Sequence, residues 1–201
     1  MQENKKILLA TSNQGKIKEF KKIFSNFQLI SQDELGITEP IEDGLTFIEN
    51  ALIKARNGAD KSGIYSIADD SGIVVPVLDF APGIYSARYA GKDASDLDNR
   101  NKIISELKKH NLTSSHAYYV CVLVGVRSKD DPMPIVTSGE IHGDISIESS
   151  GEGGFGYDKI FYPSGYNFSM ATMDPEEKNK ISHRAIAANL FLKQLENLKS
   201  N

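Results

Sequence analysis

The chain has 201 residues, 40% hydrophobic and 25% charged, which suits one domain with a real core. Its formal net charge of −4 excludes a general nucleic-acid binder, which carries a basic face. The longest uninterrupted apolar stretch, Val120–Val126, is far too short for a membrane-spanning helix. MQENKKILLA lacks the apolar segment and cleavage site of a signal peptide, and the single cysteine, Cys121, lies inside an apolar run. A reducing cytoplasm and an inert core cysteine are the expectations.

Lys5–Ala10 reads as a short strand, and Ile17, Phe20, Ile23, Phe24 and Phe27 then recur at helical spacing. The polar loop joining them, TSNQGK (Thr11, Ser12, Asn13, Gln14, Gly15, Lys16), can aim backbone N–H groups and a helix N-terminus at an anion. It is not a Walker A loop, because Lys16 is followed by Ile17. Its bland alternative is simple N-capping.

A second helix is expected from Thr46, with Thr46 and Glu49 as a capping box and Ile48, Leu52 and Ala55 on one face. Then comes IADDSG, Ile67–Gly72, two adjacent carboxylates between apolar flanks. Adjacent strand residues point to opposite faces, so Asp69 and Asp70 share a ligand only if the strand bends, which Ser71-Gly72 allows. Carboxylates at a strand's carboxyl end lie where α/β sheets bind ligands, and oxygen ligands without His or Cys favour Mg²⁺. A Pro/Gly loop through APG follows, then a helix from about Asp96 to His110 carrying Leu97, Ile104 and Leu107.

HAYYVCVLVGV and PIVTSGEIHGDISIE read as long strands. GEGGFGYD matches the dinucleotide glycine pattern, but the aromatic, Pro-broken YDKIFYPSG behind it is no helix, so that reading fails. The segment makes more sense as an aromatic platform, with Phe155 and Tyr157 for a flat base; a glycine-rich turn is the alternative. The C-terminal helix is expected from MDPEEK, with Asp174 as N-cap and Pro175 at its first position. KNKISHR places the donors Lys178, His183 and Arg184 at a helix junction, against the alternative of a solvated helix start. Four histidines without paired spacing argue against structural zinc. Alternating strands and helices imply an α/β fold on a mixed sheet. Phosphate loop, acidic pair, aromatic platform and donor cluster together describe a nucleoside triphosphate site.

LLATSNQGK, GLTFIENALIKA, IADDSGI, APGIYSARYAG, GGFGYD and EEKNKISHR, in that order, resemble the inosine triphosphate pyrophosphatase family. The resemblance implies Mg²⁺-dependent hydrolysis of ITP, dITP and XTP to the monophosphate and pyrophosphate. It implies one two-lobed α/β domain over residues 1–201, with a long central mixed sheet flanked by helices, the active site in the cleft between lobes, and a cytoplasmic homodimer. Carried over, Thr11–Lys16 and Lys54 hold phosphates, Asp70 activates water and links to the metal, and Glu42 and Asp69 are further metal ligands. Ser71 touches substrate, while Phe155, Gly156, Tyr157, Asp158, Lys178, His183 and Arg184 grip base and sugar. Asp79-Phe80 stands where the family commonly has two glycines, and Lys159 where it has proline. Two competitors are the septum-associated pyrophosphatases of pyrimidine triphosphates, whose Ser-Pro-Arg-Arg type opening is missing, and a nucleotide-binding regulator without turnover. The Asp69-Asp70 pair with Lys16 and Lys54 argues against the regulator.

Overall fold

The computed structural model describes residues 6–197. Six strands, β1 (Lys6–Leu9), β2 (Gln28–Ser31), β3 (Ser66–Val74), β4 (Ser114–Val126), β5 (Ile135–Ser146) and β6 (Phe161–Pro163), form one sheet in the order β2-β1-β3-β4-β5-β6. β1 runs parallel to β2 and β3, whereas β5 and β6 are antiparallel. The sheet is therefore mixed and the fold α/β, as expected. The helices are α1 (Gln14–Ile23), α2 (Phe47–Ser62), α3 (Asp96–Lys109), α4 (Pro175–Ile181) and α5 (His183–Asn197). Among the described residues no helix is long and apolar enough to cross a membrane.

Two compact units divide the chain. The first takes the residues up to Asp70, Cys121–Gly139 and those from Arg184 on; the second takes Ser71–Val120 and Glu140–His183. The first has a core of Ile17 and Phe20 of α1, Ile67 of β3, Leu123 of β4 and Phe191 of α5. The second has its own, with Ile73, Ile103, Tyr119, Ile145 and Phe161. Cys121 is fully buried and burial pushes its thiol well above the usual range, in keeping with an inert core residue.

Local signals place most helix ends. The Asn13 side chain accepts from the Lys16 N–H at 3.0 Å and caps α1. Asp174 caps α4 with Pro175 behind it. Thr46 caps α2, but Glu49 reaches back to the Leu45 N–H, at 2.8 Å, one residue earlier than in a capping box. The buried faces differ more from expectation. α2 buries Ala51, Ala55, Gly58 and Ala59, while Ile48 is exposed, because small residues let this helix sit close against the sheet. A Cβ on Gly58 would lie 2.4 Å from Ser66 Oγ and 2.7 Å from Leu8 Cδ2. On α3 Leu97 is likewise exposed, and the buried Asn99 instead bonds the backbone at Ala87 and Ala90. Phe27 lies beyond α1 and still packs on the core. Asp79 and Phe80 adopt left-handed φ values of 51° and 64°, a conformation that favours glycine.

Candidate active site

β3 is an unbroken nine-residue strand from Ser66 to Val74, so IADDSG does not turn at Ser71-Gly72. Strand alternation therefore sends Asp69 and Asp70 to opposite faces. Asp69 follows Ile67 toward α1 and α5, where Lys16 Nζ lies 2.9 Å and Arg184 Nε 3.9 Å from its Oδ2. Asp70 follows Ser66 toward α2, where it accepts from Asn50 Nδ2 at 3.2 Å and pairs with Lys54 Nζ at 3.5 Å. The expected acidic pair is thus two buried carboxylates with separate partners.

Their electrostatics diverge accordingly. Burial alone would raise the Asp69 carboxyl, but Lys16, Arg184 and Lys54 outweigh it and hold that group below the usual carboxylate range. Asp70 goes the other way. Burial raises it, Lys54 and Lys16 oppose this without cancelling it, and Glu42 and Asp69 add to the rise. Burial would also lower Lys54, yet Asp70, Asp69 and Glu42 keep its ammonium charged. Lys54 lies 3.2 Å from Glu42 Oε2, so Glu42 and Asp70 share one cation. Asn50 was not expected from the sequence. Its Oδ1 accepts from the Gly44 N–H at 2.9 Å while its amide holds Asp70, which ties the segment leading into α2 to the strand.

The TSNQGK loop is already engaged. The Ser12 N–H donates to Glu39 Oε1 at 3.2 Å, its hydroxyl donates to Asp33 Oδ1 at 2.8 Å, and Gln32 Nε2 reaches both Ser12 Oγ and Glu39. Glu39 thus puts a carboxylate at the loop's donors, where an anion was expected. Thr11 is buried and its Oγ1 accepts from the Asn13 N–H, and Gln14 donates to Ser12 O, so both shape the loop. Lys16 is the cation of the loop and faces Asp69.

In the second unit the glycine-rich segment folds over Asp158. Gly154 has φ 71°, and a Cβ there would come within 2.2 Å of Asp158 Oδ2. Asp158 accepts from the Phe155 N–H at 3.0 Å and from Lys178 Nζ at 2.8 Å, with Tyr119 Oη 3.3 Å from its other oxygen. The Lys178 ammonium also lies 4.9 Å from the centre of the half-buried Phe155 ring, a cation–π contact. Gly156 is clamped through its N–H to Asp96 and its carbonyl to Arg100. Tyr157 does not belong to the platform. It is buried, with its hydroxyl donating to Ser86 O at 2.7 Å, because the second core needs its ring. Lys159 pairs with Glu152 at 2.9 Å.

KNKISHR is split by the break at Ser182, which separates α4 from α5. Lys178 serves Asp158, and His183 stacks flat on Tyr119, centroids 4.7 Å apart with 5° between planes. Arg184 falls in the first unit, where it bonds Glu19 at 3.1 Å beside Asp69. Ser71 is half-buried on β3. Glu19, Glu39 and Tyr119 were missed because each looks, in sequence, like an ordinary helix, loop or core residue. The carboxylate oxygens of Glu42 and Asp70 suit a hard cation, and a shared ammonium already occupies their common position. Among the described residues no group of three or more His, Cys, Asp or Glu converges as a metal site. Asp69, on the other face of β3, is matched by side-chain cations instead.

The Ham1 family model matches residues 7–194. A dITP/XTP pyrophosphatase of Haemophilus influenzae is 46% identical over 94% of this chain and 98% of its own length. The protein of that name from Escherichia coli O157:H7 is 47% identical, with 96% and 98% covered. The solved structure of a HAM1 protein from Coxiella burnetii matches with a TM-score of 0.89 at 37% identity, covering 96% of this chain and 99% of that one. The Staphylococcus aureus Ham1 protein follows at 0.84 and 40%, with 96% and 99% covered.

Proposed function

The chain belongs to the Ham1 family, and on that premise we propose that it hydrolyses deaminated purine nucleoside triphosphates, ITP, dITP and XTP, to the monophosphate and pyrophosphate. Such an enzyme clears damaged purines from the nucleotide pool. The observation that carries the reading is Asp70: a buried carboxylate raised by its surroundings, set beside Lys54 and Glu42. A group so placed suits general-base work.

In this reading Asp70 takes the proton of the attacking water, and Asn50 keeps its carboxylate aimed by holding the other oxygen. Lys54 and Lys16 supply positive charge to the triphosphate, and Thr11–Gly15 supply backbone and side-chain donors once Glu39 gives way. Glu42 and Asp70 would hold Mg²⁺, which when bound neutralises charge on the phosphate oxygens as the α–β anhydride opens. Asp69 acts through Lys16 and Arg184, fixing both cations. In the second unit Phe155 is the surface on which a purine stacks, and Asp158 sets the loop and the Lys178 ammonium around it. Ser71, Gly156 and His183 complete the substrate contacts. Mg²⁺ as the ion, a homodimer and a cytoplasmic setting follow the family resemblance.

Pyrophosphate release from ITP, dITP, XTP, ATP and dTTP, each with Mg²⁺ and with EDTA, tests the proposal. Turnover of the 6-oxo purines far above ATP and dTTP, lost in EDTA, is the expected result. Equal turnover of dTTP would replace it with a pyrimidine-directed enzyme.

A further inference from the structure

Two of the four histidines, 26 residues apart in sequence, meet on the solvent face of the second unit. His116 lies on β4 and His142 on β5, neighbouring strands of the sheet, and both alternate outward while Ala117 and Gly143 are buried. His142 Nδ1 is 3.4 Å from His116 Nε2, and the rings stack at 5.5 Å with 11° between planes. On its other nitrogen, His142 Nε2 lies 3.2 Å from Glu140 Oε2. An ionised carboxylate only accepts, so that nitrogen carries the proton and Nδ1 keeps its lone pair toward His116. The Tyr118 ring stacks on His142 at 5.1 Å and restricts its rotation.

This spacing suits a chelate. Two Zn–N bonds of about 2.0–2.1 Å at a tetrahedral angle place their nitrogens about 3.3–3.4 Å apart. A carboxylate on the far nitrogen is also the partner that metal-bound histidines commonly carry. We propose that His116 Nε2 and His142 Nδ1 form a two-nitrogen site for a late first-row divalent cation such as Zn²⁺, oriented by Glu140 and completed by water. The side chains of His142 and Glu140 are 52% and 48% exposed, so an ion reaches them directly. Imidazole nitrogens select Zn²⁺, Cu²⁺ or Ni²⁺ over Mg²⁺, which sets this site apart from the oxygen donors Glu42 and Asp70. With two protein ligands the ion exchanges readily and is not part of the fold.

The test is calorimetric titration of Zn²⁺ into the metal-stripped full chain, with excess Mg²⁺ present to cover the carboxylates. The wild type is expected to show one saturable equivalent, with Cu²⁺ binding tighter than Zn²⁺. His116→Ala and His142→Ala are each expected to abolish that equivalent, and Glu140→Gln to weaken it about tenfold or more. Circular dichroism and hydrolysis with Mg²⁺ alone should match the wild type in all three, which separates lost binding from lost folding. Absence of saturable binding in the wild type, or unchanged binding in both histidine variants, overturns the proposal and leaves the pair a cross-strand hydrogen bond.

Discussion

A carboxylate sealed from water stays ionised only where cations or donors compensate it, and the two central aspartates meet that requirement differently. Asp69 is fully buried against Lys16 and Arg184. Asp69→Asn would remove the carboxylate that Lys16 and Arg184 share, and breaking a buried pair costs about 3–5 kcal/mol. An unfolding free energy from urea titration lowered by that amount is the expected outcome; an unchanged value would remove Asp69 from the stability account. Its folded carboxyl is depressed, so the stability it contributes is present above the unfolded value, about 3.9, and disappears as pH falls through the folded one. In Mg²⁺-free buffer, wild-type stability should therefore fall on acidification more steeply than that of Asp69→Asn. Asp70 is raised rather than depressed, so its charge costs stability at neutral pH. Asp70→Asn should keep or gain thermal stability while kcat drops by about 10²–10⁴. More than about a tenth of wild-type kcat, measured with saturating Mg²⁺, would exclude Asp70 as the base.

At the scale of elements, α2 combines packing and chemistry. Its close approach depends on Ala51, Ala55, Gly58 and Ala59, and the same helix presents Asn50 and Lys54 to Asp70. Gly58→Val would push side-chain atoms into Ser66 and Leu8, the residues that join β3 to β1. Overpacking of this kind costs about 1–3 kcal/mol. A shift of α2 also moves Lys54 and Asn50 from the carboxylate, so kcat is expected to fall together with the melting temperature. A variant with the lowered melting temperature and full kcat would show that α2 positions nothing. The break at Ser182 likewise decides what nearby side chains meet. An extended residue at φ −65° and ψ 150° ends α4, so Lys178 and His183 need not lie along one helical face.

For the whole molecule the central consequence is that substrate binding should stabilise the folded chain, since a ligand that binds only the folded state adds to its stability. Ligand at about 100 times its Kd adds about 2.7 kcal/mol, and each kcal/mol is worth about 2–4 °C in a chain of this size. An ITP analogue with a non-hydrolysable α–β bridge, given with Mg²⁺, should raise the melting temperature by about 5–10 °C. The matching ATP analogue should raise it much less. Equal shifts would mean that the phosphates alone are recognised.

Read alone, the sequence determined the features set by nearby residues. The caps at Asn13, Thr46 and Asp174, the strands β1, β4 and β5, the mixed α/β class and the ordered motifs all rest on hydrogen bonds or periodicities a few residues long. Tertiary structure decided what each side chain meets. Ile48 and Leu97 fit an apolar helical face yet stay exposed, because neighbouring elements cover the adjacent stripe. Tyr157 resembles Phe155 in sequence and is taken into the core through Ser86, 71 residues away. Ser12 looked open to phosphate and is occupied by Asp33 and Glu39. Histidines without paired spacing become a pair when β4 and β5 align. Asp69 and Asp70 part company because β3 continues past them, and strand continuity depends on pairing with chain segments far away in sequence. Spacing encodes which residues can share a face; only long-range packing selects the partner that faces them.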